Sequence, residues 1–240
     1  MDVFLHAETW VALLTLTFLE IVLGIDNIIF ISLLTGKLPA EKQKKTRNTG
    51  LLLALVFRIL LLSAVSHIIR LTNPLFTIAS FQFSARSLIL IGGGLFLLGK
   101  STMEIHEKIT KFEHSEDAQK NDTHASFITI IIQIILLDIV FSFDSILTAV
   151  GLTEHVLIMI IAVILAMIVM IAFSGIISNF INKHPSFQIL ALSFLILIGT
   201  MLIAEAFNYH VPKGYIYFAV AYSLGVELIN MKIRSRRKQM

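Results

Sequence analysis

Long apolar runs, separated by short polar stretches, occupy most of the chain. Seven of them are long enough to cross a bilayer: Thr9 to Leu34, Thr49 to Ile69, Ser87 to Ile105, Ser126 to Leu152, Val156 to Ile181, Phe187 to Phe207 and Gly214 to Met231. About 20 mostly apolar residues make one helical crossing, and a helix closes its own backbone hydrogen bonds in lipid. The pattern therefore predicts an all-α polytopic membrane protein with seven transmembrane helices. Pro74, Pro185 and Pro212 fall in connections, and Pro39 follows the first run; a missing N–H does no harm there. The first run is too long and too acidic for a cleaved signal peptide and is read as a retained helix.

Composition narrows the class further. The 240 residues are 56% hydrophobic and only 15% charged, with mean hydropathy +0.86, whereas soluble domains carry about a quarter charged residues. The chain has no Cys, so it forms no disulfide and no thiolate metal site. The net charge of +3 is local and marks topology, not nucleic-acid binding. The connections after runs one, three and five and the tail carry 14 Lys and Arg, from Lys37, Lys42, Lys44, Lys45 and Arg47 onward. The opposite side carries three: Arg70, Arg86 and Lys213. The imbalance predicts a cytoplasmic tail and an N-terminus outside.

The chain also repeats itself. LEIVLGIDNI at 19–28 aligns with LDIVFSFDSI at 137–146, acid on acid, and LILIG occurs at 88–92 and again at 195–199. Runs one to three thus recur as runs four to six. Three is odd, so the second copy enters the membrane from the other side, as in the inverted repeats of many secondary transporters. The expected organisation is one transmembrane domain over 1–240. It comprises repeat one (9–105), a polar cytoplasmic linker (106–124), repeat two (125–207), a last helix (214–231) and a basic tail (232–240).

The repeat carries acids where they are costly. One Asp at a helix centre costs about 2.5–3.5 kcal/mol on insertion scales, so four would cost on the order of 10 kcal/mol facing lipid. Glu20, Asp26, Asp138 and Asp144 should therefore face the bundle interior. Opposed orientations would put Glu20 level with Asp144 and Asp26 level with Asp138, four carboxylates around one volume. A plainer reading pairs the acids with Arg58 or uses them to join helices. Acids six apart point about 120° away from each other on a regular helix. Glu20 and Asn27 share one face, as do Asp138, Ser142 and Ser145. The spacing predicts a local unwinding at Gly24 and Ser142; regular helices would leave Asp26 and Asp144 serving other neighbours. An oxygen-rich set without Cys or His suits Mg²⁺, Ca²⁺ or Mn²⁺. Crowded carboxylates can take up protons when empty, which suggests metal–proton exchange. Glu227, midway along the last run, is a further candidate. His106, Glu107, His114 and His124 lack tight ligand spacing.

At these residues the chain resembles the TerC family of integral membrane proteins. EIVLGIDNIIF at 20–30, RLTNPLFTI at 70–78, DIVFSFDSI at 138–146 and HVPKGYIYFAVAYSLGVELIN at 210–230 carry the likeness, which covers essentially the whole chain and is nearest to the family's short bacterial branch. The resemblance implies metal ligands at Glu20, Asp26, Asn27, Asp138, Asp144 and Ser145; Gly24, Arg58, Ser142 and Glu227 are supporting candidates on spacing and burial cost alone. It implies Mn²⁺ export across the bacterial inner membrane by a non-enzyme with no tightly bound cofactor. The family was named for tellurium resistance, and plant members help assemble thylakoid complexes. The alternative is therefore a non-transporting factor that aids assembly or metallation of other proteins. No HExxH, no nucleotide-binding loop and no Lys within the last run point to protease, ATPase or retinal chemistry.

Overall fold

A computed structural model describes residues 7–65, 74–78, 81–113, 126–153, 155–209 and 212–237. Seven long helices lie where the apolar runs lie: α1 (Ala7–Thr35), α2 (Ala40–Ser63), α3 (Ala85–Glu113), α4 (Phe127–Leu152), α5 (Val156–Lys183), α6 (Pro185–Ala206) and α7 (Lys213–Arg237). Each is long and apolar enough to cross a membrane. Between α2 and α3 an antiparallel hairpin, β1 (Pro74–Ile78) and β2 (Phe81–Ser84), departs from the all-helical expectation. Phe76 pairs with Phe83 and the two rings stack with centroids 5.5 Å apart. Phe83 then meets Phe207 edge-on at 5.7 Å, which ties the hairpin to the end of α6.

The prolines sit where the backbone tolerates them. Pro39 directly precedes α2, and Pro185 opens α6, where its absent N–H would have been unpaired anyway. Helix α6 stops at a Schellman turn. Tyr209 N–H donates to Ala204 O and Asn208 N–H to Glu205 O, each at 3.0 Å, and Asn208 takes the left-handed conformation at φ 63°.

Packing follows the repeat. Helix α1 packs chiefly on α5, and its counterpart α4 chiefly on α2, while α3 packs on its own counterpart α6. Exchanging one with four, two with five and three with six leaves that pattern intact, as an inverted repeat requires. With no hydrophobic drive between helices in lipid, close approach depends on small residues. A Cβ on Gly94 of α3 would lie 2.6 Å from the Gly199 carbonyl of α6, and a Cβ on Gly199 would lie 2.9 Å from the Gly94 carbonyl. The echo that aligned Gly92 with Gly199 thus marks a real crossing, displaced by two residues. Polar links hold the same two helices at both ends: Arg86 donates to Glu205 and Lys108 to Gln188. Helix α7 stands outside the repeat, packs chiefly on α6 and leaves Tyr215, Phe218 and Tyr222 exposed.

Two boundaries move. Helix α2 begins at Ala40, so Lys42 to Arg47 lie on it and not in a connection. Helix α3 continues to Glu113, through the first part of the expected linker; residues 114–125, with His114 and His124, lie outside the described set. The α1–α2 turn, the end of α3, the start of α4 and the α5–α6 junction meet at one end of the bundle. That lysine-rich end lies opposite the hairpin.

Candidate functional site

Helices α1 and α4 run through both acidic motifs as unbroken α-helix. The unwinding expected at Gly24 and Ser142 is absent. Gly24 serves packing instead, since a Cβ there would lie 2.2 Å from Met170 Sδ of α5. Regular helices send the acids of each motif in different directions, and α1 shows the result.

Glu20 of α1 and Asp138 of α4 meet across Arg58 of α2. Arg58 is 3% exposed, and Glu20 and Asp138 are 5% exposed each. Arg58 Nη1 donates to Glu20 Oε2 at 2.5 Å, Nη2 to Asp138 Oδ1 at 3.0 Å and Nε to Ser142 Oγ at 2.8 Å. Ser142 Oγ donates in turn to Asp138 Oδ2 at 3.2 Å. One guanidinium thus compensates two carboxylates from opposite halves of the repeat. This corrects the expected levels, because Glu20 stands beside Asp138 across Arg58. It also means that the plainer pairing with Arg58 holds for these two acids.

Asp26 points elsewhere. It is half-buried and lines a cavity of about 80 Å³ with Asn27, Arg58, Ser145, Glu205 and Tyr217, among others. Carboxylate, amide and hydroxyl side chains thus border a cavity whose wall is otherwise apolar, from Leu23, Phe141, Met201 and Leu202 among others. Ser145 Oγ donates to Ser142 O at 3.2 Å and keeps lone pairs free to accept or coordinate. Toward the lysine-rich end, a cavity of only about 10 Å³ lies among Asn27, Asp138, Phe30, Leu51, Ile134 and Met170. Asn27 borders both spaces. Farther along the same line the bundle opens into a vestibule of about 1060 Å³ bordered by Lys37, Glu104, Glu107, Gln133 and Asn182. Here Lys37 Nζ bridges Glu104 at 2.7 Å and Glu107 at 2.9 Å. Burial lowers the Lys37 ammonium, but the two glutamates outweigh it and hold its proton above the usual lysine range.

Glu20, Asn27, Asp138, Ser142, Ser145 and Arg58 therefore gather in one buried region, with Asp26 on its flank. Asp144 lies on α4 with its side chain outside the described set. Among the described residues, no three acidic or His side chains come close enough to hold a metal together. Of the four acids expected to form a ring, the three described ones form a pair compensated by Arg58 and a separate Asp26. Glu227 of α7 borders neither small cavity, and its buried Oε1 has no hydrogen-bond partner among the described residues. Sequence reasoning did not single out Asp26 and Glu205 as neighbours of one cavity; only the crossing of α1 by α6 brings them together.

The integral membrane protein TerC family matches over residues 5–240. The inner membrane protein YgdQ of Escherichia coli (strain K12) is 52% identical over 233 residues, covering 97% of this chain and 96% of that protein. A UPF0053 protein of Haemophilus influenzae is 50% identical over 231 residues, 96% of this chain and 97% of that one. The inner membrane protein YoaE of Escherichia coli (strain K12) is 46% identical over 234 residues, 98% of this chain but 45% of that protein. No solved structure matches.

Proposed function

The chain belongs to the TerC family of integral membrane proteins, and from that premise we propose that it exports a divalent metal cation, Mn²⁺ first, in exchange for protons. The observation that carries the reading is the buried region at Arg58. Three carboxylates, Glu20, Asp26 and Asp138, share it with one guanidinium, a formal excess of two negative charges that one divalent cation cancels. Asp26, Asn27 and Ser145 supply hard oxygen donors beside it, the kind Mn²⁺, Mg²⁺ and Ca²⁺ accept. Intramembrane ionisable groups belong to ion pathways as a rule. In this reading Asp144 completes the ligand set from the second repeat and Glu227 supports it. The lysine-rich end faces the cytoplasm of a bacterium, the hairpin faces outward, and the vestibule is the cytoplasmic entrance.

The pairing of Glu20 and Asp138 with Arg58 favours a second reading, in which the acids only join helices and the protein assists the assembly or metallation of others. Total cell manganese separates the two. In a host stripped of its own exporters and loaded with Mn²⁺, cells with the wild-type chain should hold less manganese by mass spectrometry than the empty host. Asp26→Asn at matched expression should return the metal to the empty-host level. Equal manganese in all three strains would remove Mn²⁺ export.

A further inference from the structure

We propose that Arg58 is the resident cation of the transport site and that it sets the valence of the cargo, an inference that rests on the cation-export reading above. The guanidinium occupies the position a substrate cation would take between Glu20 and Asp138. It also borders one of two neighbouring spaces, and its partner Asp138 borders the other. The 10 Å³ void beside Asp138 is too small for more than about one water, and the 80 Å³ cavity is bordered by Arg58 itself. A cation beside Asp26 therefore faces the guanidinium directly, and the two repel each other.

Charge then decides which ions can enter. K⁺ or Na⁺ carries the same single charge as Arg58 and none of its directed N–H bonds. Such an ion gains nothing by displacing the guanidinium from two carboxylates and a serine. A divalent ion brings twice the charge to the same acids, so it can expel Arg58 and bind Glu20, Asp138 and the Asp26 donors together. In the empty protein Arg58 holds Glu20 and Asp138 in ion pairs, so these two acids are closed to monovalent ions. Lys would keep the charge without the planar fork.

The test uses the purified full chain in liposomes, with equilibrium binding of MnCl₂ measured against added KCl. N-methylglucamine chloride at equal ionic strength controls for screening. Wild type and Arg58→Lys should bind Mn²⁺ with the same half-saturating concentration in both salts. Arg58→Gln should bind Mn²⁺ about tenfold more tightly in N-methylglucamine chloride and lose about tenfold when KCl replaces it, each factor equivalent to about 1.4 kcal/mol. Binding by Arg58→Gln no tighter than wild type, or insensitive to KCl, overturns the proposal. If Arg58→Gln aggregates on size exclusion, the double variant Glu20→Gln/Arg58→Gln, whose formal charge equals wild type, carries the comparison. Competition by KCl is expected there, and its absence overturns the proposal. Wild type without Mn²⁺ binding or flux removes cation export and this role together. Wild type that binds beside an unchanged Arg58→Gln removes the role of Arg58 alone.

Discussion

Arg58 is the residue on which both halves of the repeat depend. Removing one partner from a buried ion pair leaves an uncompensated charge and costs about 3–5 kcal/mol, whereas replacing the whole cluster by neutral groups of similar size is often neutral. Arg58→Ala should therefore melt well below wild type in detergent micelles. The triple variant Glu20→Gln/Arg58→Met/Asp138→Asn should melt near wild type while binding no metal. A triple variant as unstable as the single one would contradict the compensated-pair account. The acids were legible in the sequence because their cost in an apolar run is high and their spacing recurs. Which acid meets which was not. The regular 100° step of an unbroken helix sends Glu20 and Asp26 to different neighbours, and those neighbours come from helices distant in the chain.

At the scale of elements, glycines separate two kinds of contact. On Gly94 a Cβ would meet backbone, the Gly199 carbonyl at 2.6 Å, and backbone cannot step aside. On Gly24 a Cβ would meet the thioether of Met170, a flexible side chain that can swing away. Gly94→Ala should lower stability by about 1–3 kcal/mol through overpacking. Gly24→Ala should stay within about 1 kcal/mol, since Ala also favours the helix by about that much. Thermal melting of the two variants in the same detergent checks both, and equal losses would argue against the tight α3–α6 crossing. The spans themselves were legible because long apolar runs leave the backbone only one solution in lipid. Polar helix ends were not. The first turns of α2 carry Glu41, Lys42, Lys44 and Lys45, which read as connection. The extension of α3 shows no apolar run, and its Glu107, with Glu104 just before it, holds Lys37 across the vestibule. The hairpin escaped because PLFTI and FQFS are too short to stand out between two spans.

For the whole molecule, the two faces differ in charge and in covering, and the proposed orientation can be read directly. The chain has no Cys, so a single introduced thiol reports alone. Thr77→Cys on the exposed hairpin should react with a membrane-impermeant maleimide in spheroplasts, where the outer surface of the inner membrane is accessible. Lys183→Cys at the vestibule should react only after the membrane is opened. The reverse order would invert the topology and make the vestibule an outward mouth. That α2 pairs with α4 whenever α1 pairs with α5 was implicit in the inverted repeat, although the aligned motifs set α1 opposite α4 and did not single out these partners. The placement of α7 on α6 was not, because the repeat holds no second copy of α7 from which its seat could be inferred.

The contact between α3 and α6 also has a mechanical side. These helices touch backbone to backbone at Gly94 and Gly199 and are joined by Arg86 to Glu205 at one end and by Lys108 to Gln188 at the other. A pair pinned at its middle and both ends behaves as a stiff beam that tilts as one piece. Any load that spreads the bundle at the vestibule is then carried along the pair as a single piece to the hairpin end.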